Sequence, residues 1–206
     1  MKALYLSALA ALASLPGTVR AELDFTLQHQ TRTADAITVS QPYIMDGASK
    51  IFLSFPGNWH AVDGAQKLEL TPNVPNASVR LENHHGPALT IDAAGGQKLL
   101  ERLLAQVPKE AKNVAADPVE INPFPILWWT NVQVTVRYEL HDQTFRRSTM
   151  YVDMRPGRIV EFSVTSLDGD YEKLYRPARG VLASFFEPSK DLPPDLAKKY
   201  EEGNVE

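Results

Sequence analysis

Adjacent histidines at positions 84 and 85 are the candidates in this sequence for metal binding or acid–base chemistry. Imidazole is a common ligand of zinc and copper, and it is also the usual general base of hydrolases. Glu82 and Asp92 are the nearest further donors along the chain. Neighbouring side chains of an extended segment point in opposite directions, however, and this spacing matches no recognised ligand pattern. A solvent-exposed loop is therefore the simpler interpretation, and a secreted metal-dependent or hydrolytic enzyme using His84 and His85 is the alternative function.

The other reactive side chains also have simpler structural explanations. The acidic run at 168–170 resembles the start of a calcium loop but lacks the closing bidentate glutamate, so helix capping is expected. Glu139 and Glu161 alternate with Arg137 on predicted strands, which favours cross-strand ion pairs over acid–base catalysis. The chain has no cysteine, and no serine lies in a Gly-x-Ser-x-Gly turn. We therefore expect no catalytic residue, no bound metal and no cofactor.

The candidate binding residues are Phe124, Trp128 and Trp129, within the stretch FPILWW. Successive residues of an extended chain direct their side chains to opposite faces, so one tryptophan ring is expected in the core and the other at the surface. An exposed tryptophan in a proline-rich segment is a typical contact residue of protein interfaces. The alternative is that helices on both sides of a sheet bury both rings.

A three-stranded antiparallel meander is predicted directly after this segment. Alternating apolar residues mark strands at 132–140, 147–154 and 158–165, with turns at 141–143 and 155–158. With these turns, the meander has one polar face, which adjoins the tryptophan pair. This face carries Arg137, Glu139, Arg147, Thr149, Tyr151, Glu161 and Thr165. This face is expected to meet water or a polar partner.

The remaining pattern predicts an α+β fold. Alternation indicates earlier strands at 23–27, 37–39, 50–55, 66–70 and 77–81. Leucines at helical spacing predict a helix at 98–107, which ends before Pro108. A second amphipathic helix is predicted at 171–185, where Pro177 should introduce a kink or divide it into two abutting helices. The order of strands, helix, meander and helix is typical of a central antiparallel sheet flanked by helices.

The first 21 residues have the three parts of a secretory signal: a basic start, a 13-residue apolar run and small residues before a cleavage point after Ala21. We expect a cleaved signal peptide at 1–21, one α+β domain at 22–187 and a charged tail at 188–206, in a periplasmic or secreted protein. The absence of cysteine argues against a lipid anchor, and the apolar run is too short for a membrane span. Loss of Lys2 and Arg20 takes the formal net charge from −4 to −6, which argues against nucleic-acid partners.

Two segments resemble the PsbP-like superfamily. The strand and turn FLSFPGNW (52–59) is similar to its strand–Pro–small–x–Trp opening, and RIVEFSVT (158–165) with the following helix is similar to its last strand and helix. This resemblance implies an α/β/α sandwich with a central antiparallel sheet and no shared catalytic residues. Members of the family serve as accessory subunits of photosystem II or bind a small GTPase. Together these observations predict an exported, non-enzymatic binding or accessory module whose partner is an unknown protein or polar ligand.

Overall fold

The described part of the chain covers most of the predicted domain. A computed structural model describes residues 22–34, 37–126, 129–155, 158–185 and 198. The predicted signal peptide at 1–21, Trp128 and the predicted tail apart from Lys198 lie outside these residues. Among the described helices, none is long and apolar enough to cross a membrane.

Two antiparallel sheets and two helices make up the described fold. A three-stranded sheet has the order β1-β2-β3, and an eight-stranded sheet has the order β4-β5-β6-β11-β10-β9-β7, with β8 paired to β9. A short 3-10 turn, Asp168–Asp170, precedes the last helix. The elements are β1 (Asp24–Ala34), β2 (Ile37–Asp46), β3 (Ser49–Phe52), β4 (His60–Gly64), β5 (Lys67–Thr71), β6 (Ser78–Asn83), α1 (Ala93–Leu104), β7 (Lys112–Ala116), β8 (Glu120–Ile121), β9 (Thr130–Leu140), β10 (Gln143–Arg155), β11 (Arg158–Leu167) and α2 (Tyr171–Ala183). The predicted α+β class is confirmed, whereas β4 and β7 were not predicted.

The meander is present, but its predicted polar face is wrong. Leu140 pairs with Gln143, so the loop contains only His141 and Asp142, both with positive φ (49° and 60°) as in a type I′ hairpin turn. A three-residue turn was predicted, and a register change of one residue moves every side chain of the next strand to the other face. As a result Arg147, Thr149, Tyr151, Glu161 and Thr165 share a face with Val132 and Val134, while Arg137 and Glu139 lie on the opposite face.

The two helices pack on opposite faces of the eight-stranded sheet. Alternate residues of β11 enter different clusters: Ile159 packs with α1, and Phe162 packs with α2. The α1 cluster contains Leu99 and Leu103 with Val132, Val134, Val136 and Tyr138. The α2 cluster contains Leu174, Ala178, Val181 and Leu182 with Leu81, Met150, Val152 and Phe162. Each helix is therefore held by an apolar stripe of its own.

Helix α2 is continuous across Pro177, so of the two predicted outcomes, a kink or two abutting helices, the division into two helices does not occur. The helix runs from Tyr171 to Ala183 with the proline inside it. Leu174 and Val181, on either side of the proline, are both buried in the same core cluster. Continuous packing of this stripe compensates for the one backbone hydrogen bond that a proline removes.

The N-terminal sheet is joined to the large one through the α2 side of the core. Phe25 and Ile44 are fully buried there. Leu23 is held by the Asn83 side chain, which accepts from its N–H (3.0 Å) and donates to its carbonyl (2.7 Å). The Phe25 N–H donates to the Ala65 carbonyl at 3.2 Å. These bonds fix the start of β1 against the end of β6 and the turn between β4 and β5.

Candidate functional site

An open groove of about 800 Å³ lies along the outer side of α2, where Phe124 forms the facing wall. A smaller space of about 230 Å³ adjoins it over Gln133 and Thr135 of β9, and the two share Glu172, Tyr175 and Arg179. We call this continuous feature the α2 groove. Its principal lining residues are Phe124, Lys173, Tyr175, Arg176, Arg179 and Gly180. Of the three predicted binding residues, Phe124 lies in this groove.

The buried side chain of Asn131 positions Phe124. Its amide nitrogen donates to the Phe124 carbonyl (2.7 Å), and its oxygen accepts from the Phe124 N–H (3.2 Å). The Asn131 backbone N–H in turn donates to the Asn122 side chain at 2.9 Å. A segment with three prolines cannot form a regular ladder, and this one asparagine supplies the missing partners. Phe124 is thereby held by the rigid start of β9.

Arg179 is held by two aromatic rings in the groove. Its guanidinium carbon lies 4.3 Å from the Phe124 ring centroid and 5.7 Å from that of Tyr175. Tyr175 is one helical turn before Arg179 and donates its hydroxyl to Gln133 Oε1. Burial is the main cause that raises the pKa of Tyr175 to about 12, so the phenol is neutral at physiological pH. The rings thus fix the orientation of the guanidinium.

The groove carries charges of both signs, because its lining includes Asp117, Glu120 and Glu172 as well as Arg146, Lys173, Arg176 and Arg179. Arg146 is shared by two carboxylates, with Nη1 2.8 Å from Glu172 and Nε 2.7 Å from Asp168, and Lys173 Nζ lies 3.5 Å from Asp170. Arg176 and Arg179 form no ion pair with any carboxylate in the described part of the chain. Two guanidinium groups are consequently available to a negatively charged ligand.

The acidic run at 168–170 forms ion pairs rather than helix caps. Asp168 accepts from Arg146 Nε at 2.7 Å and lies 3.6 Å from Arg137 Nε. Asp170, the residue before α2, makes no capping hydrogen bond with its side chain. The predicted capping role is therefore wrong, because no side-chain cap hydrogen bond forms at this helix start and Asp168 pairs with two arginines of the meander.

Trp129 is not a surface contact residue. Its side chain is only 2% exposed and packs in the α2 core cluster, and its backbone bridges to Ile126. Trp129 is therefore the ring of the pair that enters the core, as the alternation predicts for one of the two. Trp128 lies outside the described residues, so its exposure remains a prediction.

His84 is buried in a cluster under α1 rather than in a solvated loop. Its Nδ1 lies 2.5 Å from Glu161 Oε1, and its Nε2 lies 2.9 Å from the Pro87 carbonyl oxygen. Arg102 of α1 donates to the same Glu161 oxygen at 2.6 Å. Both ring nitrogens of His84 therefore face oxygen acceptors, and His85 is exposed. The structure does not bring the two histidines together, and no group of three potential metal ligands occurs among the described residues.

Glu161 is the charged centre of this His84 cluster. Its side chain is 5% exposed and lies on the opposite sheet face from Arg137, so the predicted cross-strand pair is wrong. Burial alone raises the pKa of Glu161, but the hydrogen bonds from His84 and Arg102 outweigh burial and lower the pKa below 4.5. The cluster links the loop after β6, strand β11 and helix α1.

Comparison with known proteins gives similar structures but no sequence family. No family model matches the sequence, and no curated protein matches it. The structure is similar to cyanobacterial PsbP from Synechocystis (13% identity, 86% of this chain and 99% of that one, TM-score 0.47). It is also similar to PA94, a Pseudomonas aeruginosa protein of unknown function (11%, 78% and 96%, 0.37), and to LpqN, involved in cell envelope biogenesis of Mycobacterium tuberculosis (13%, 77% and 89%, 0.36). One of these three proteins is a PsbP, the family whose motifs the sequence resembles.

Proposed function

We propose that this protein is an exported, non-enzymatic binding module of α/β/α layers, and that its α2 groove binds a carboxylate-bearing segment of a partner protein. The observation that supports this function is Arg179, whose guanidinium is held over Phe124 without a carboxylate partner among the described residues. The helices on opposite faces of the sheet support the layered arrangement.

The chemistry of arginine favours a carboxylate as the ligand. A guanidinium presents its donors in a planar fork that matches the two oxygens of a carboxylate. Stacking of Arg179 on Phe124 restricts the side chain before binding, so less conformational entropy is lost when the hydrogen bonds form. Arg176, one turn away, adds a second positive charge to the same groove. A side chain or terminus carrying a carboxylate therefore suits this site.

The hydrolytic alternative has less support from the geometry. His84 would have to act as a general base or a ligand, but its ring nitrogens are directed at Glu161 and at the Pro87 carbonyl. Neither nitrogen faces the α2 groove, which lies on the other side of the sheet. His84 and the α2 groove thus lie on opposite sides of the sheet.

Arg179→Gln is expected to weaken binding of an oligoglutamate peptide by about 30-fold, as loss of a contact worth about 2 kcal/mol would do. The measurement is an NMR titration that follows the Gly180 amide, with an oligoglutamine peptide as the uncharged probe. Lys98→Gln is the matched control, because Lys98 is exposed on α1 at the opposite face. Equal weakening by both variants would show a net-charge effect and contradict the proposed site, as would an oligoglutamate peptide that leaves Gly180 unshifted.

Filling the groove tests the same site without removing a charge. A Cβ built on Gly180 meets no atom within 4 Å, so Gly180→Leu places its side chain in the groove without disturbing the core. We expect this variant to lose oligoglutamate binding while it keeps its circular dichroism spectrum. Gly180→Ala, which adds one methyl group, should still bind. Undiminished binding by Gly180→Leu would place the ligand elsewhere.

A further inference from the structure

A two-stranded ribbon extends beyond the core at the N-terminal sheet. It consists of residues 28–34 of β1 and 37–43 of β2, which pair without a register shift from the Gln28–Tyr43 pair to the Ala34–Ile37 pair. Ile37 and Val39 lie on one face of the ribbon and are 66% and 56% exposed. Strand β3 pairs with β2 only at residues 43–46, so no described strand covers the outer edge of 37–41. Two exposed β-branched apolar residues, Ile37 and Val39, thus lie on a strand whose outer edge no described strand pairs with.

The outer edge offers hydrogen-bonding groups in a known pattern. The Pro42 carbonyl accepts from the Leu53 N–H at 2.9 Å, so residue 42 directs its carbonyl away from β1. Hydrogen bonding alternates along an antiparallel strand, and Thr38 and Ser40 therefore also point their backbone groups outward. Residues 37–41 (ITVSQ) contain no charge, no proline and no bulge, which are the usual means of protecting an edge, and Pro42 lies just beyond them.

We propose that this edge pairs with the same edge of a second copy of the chain. The two β2 strands would run antiparallel around a two-fold axis at Val39. Thr38 of each copy would exchange N–H to carbonyl bonds with Ser40 of the other. Val39 would face Val39 of the second copy in a non-hydrogen-bonded pair, where Cα atoms are about 4.5 Å apart. The product is a four-stranded sheet with an isologous interface.

A second copy fits this edge better than an unrelated protein does. Strand addition needs a partner with an unprotected edge, and most proteins cover or charge theirs. A second copy presents an identical edge, and no like charges meet because residues 37–41 are uncharged. A two-stranded ribbon is only marginally stable in water, whereas four strands sharing an apolar strip are stabilised. Pairing therefore stabilises the ribbon of each copy to the same extent.

A single introduced cysteine tests the proposed register, because the natural chain has none. In oxidised glutathione, which takes up the two electrons, Val39→Cys is expected to form a disulfide-linked dimer on a non-reducing gel. Val114→Cys is the control, since Val114 is 44% exposed on β7 at the far edge of the large sheet. Equal cross-linking of both variants would overturn the proposal.

Sedimentation velocity supplies the second measurement. The wild-type protein is expected to show a concentration-dependent dimer, and Val39→Lys should sediment as a monomer while it keeps its circular dichroism spectrum, because the side chain is exposed. A wild-type protein that remains monomeric at every concentration would overturn the proposal. These outcomes are independent of the α2 groove, because neither variant touches its lining.

Discussion

Glu161→Gln is expected to lower the free energy of unfolding by about 3 kcal/mol at pH 7, as removal of one partner from a buried charged cluster does. The carboxylate is the shared acceptor of His84 Nδ1 and Arg102 Nη2. A neutral amide leaves the buried imidazole facing a weaker acceptor and leaves the guanidinium without its counter-charge. Urea unfolding followed by circular dichroism measures the change.

Glu82→Gln is the control for this substitution. Glu82 lies directly opposite Glu161 on the neighbouring strand β6 and pairs with Arg80 at 3.1 Å, but both side chains are partly exposed. A solvent-screened pair is worth about 0.5 kcal/mol. Similar losses in the two variants would contradict the view that the His84 cluster stabilises the fold.

Acid should remove the same contribution from the wild-type protein. The pKa of Glu161 is lowered in the folded state from its ordinary value of 4.5, so its stabilising effect is complete above that value and disappears as the pH falls through the folded pKa. The difference in stability between wild type and Glu161→Gln should therefore shrink below pH 4.5. If the difference in unfolding free energy between the two proteins stayed constant until acid unfolds them, the ionised Glu161 carboxylate would not be the source of the stabilisation.

Gly95→Ala is expected to destabilise the protein by about 3 kcal/mol, although alanine normally favours a helix. A Cβ on Gly95 would lie 1.8 Å from the Thr90 carbonyl oxygen, a backbone atom that cannot rotate away. The Gly95 N–H is also bound by the capping side chain of Asp92 at 2.8 Å, so the first turn of α1 cannot shift easily. Thermal unfolding measures the loss.

Gly180→Ala provides the matched comparison in the other helix. Nothing lies within 4 Å of its added Cβ, so this variant should gain about 0.5–1 kcal/mol from helix propensity. The two glycine substitutions should thus shift the melting temperature in opposite directions. Shifts of the same sign would mean that the close approach of α1 to Thr90 is not rigid.

The alternation of apolar and polar residues predicts where the strands lie, whereas the length of the turn between β9 and β10 determines which side chains of the two strands lie on the same sheet face. The strands of the meander follow from period-two patterns that depend on neighbouring residues only. His141-Asp142 forms a two-residue turn with positive φ at both positions, a conformation usually signalled by Asn-Gly or Asp-Gly. Because that signal is missing, the sequence predicts a turn of three residues, and this turn places Glu161 on the same face as Arg137 instead of the opposite one.

The sequence predicts only part of the candidate site, because some of its contacts join residues that are far apart in the chain. Phe124 can be predicted as a binding residue because aromatic residues and prolines are concentrated around it. Arg179 has the same local signal as any arginine on the solvent side of a helix, and its contact with Phe124 depends on tertiary packing. His84 meets its partner Glu161 across 77 positions of the chain. Local patterns carry no information about such contacts.

The pairing of β6 with β11 also determines when the fold can form. Val79 lies opposite Val164, so the centre of the large sheet joins segments from distant parts of the chain. Sheets built from such distant pairings fold slowly, because loop closure must come before the contacts that stabilise it. The large sheet therefore stays incomplete until nearly all of the domain has been synthesised. For a chain whose first 21 residues predict a secretory signal, this topology prolongs the unfolded state in which a polypeptide can be threaded across a membrane.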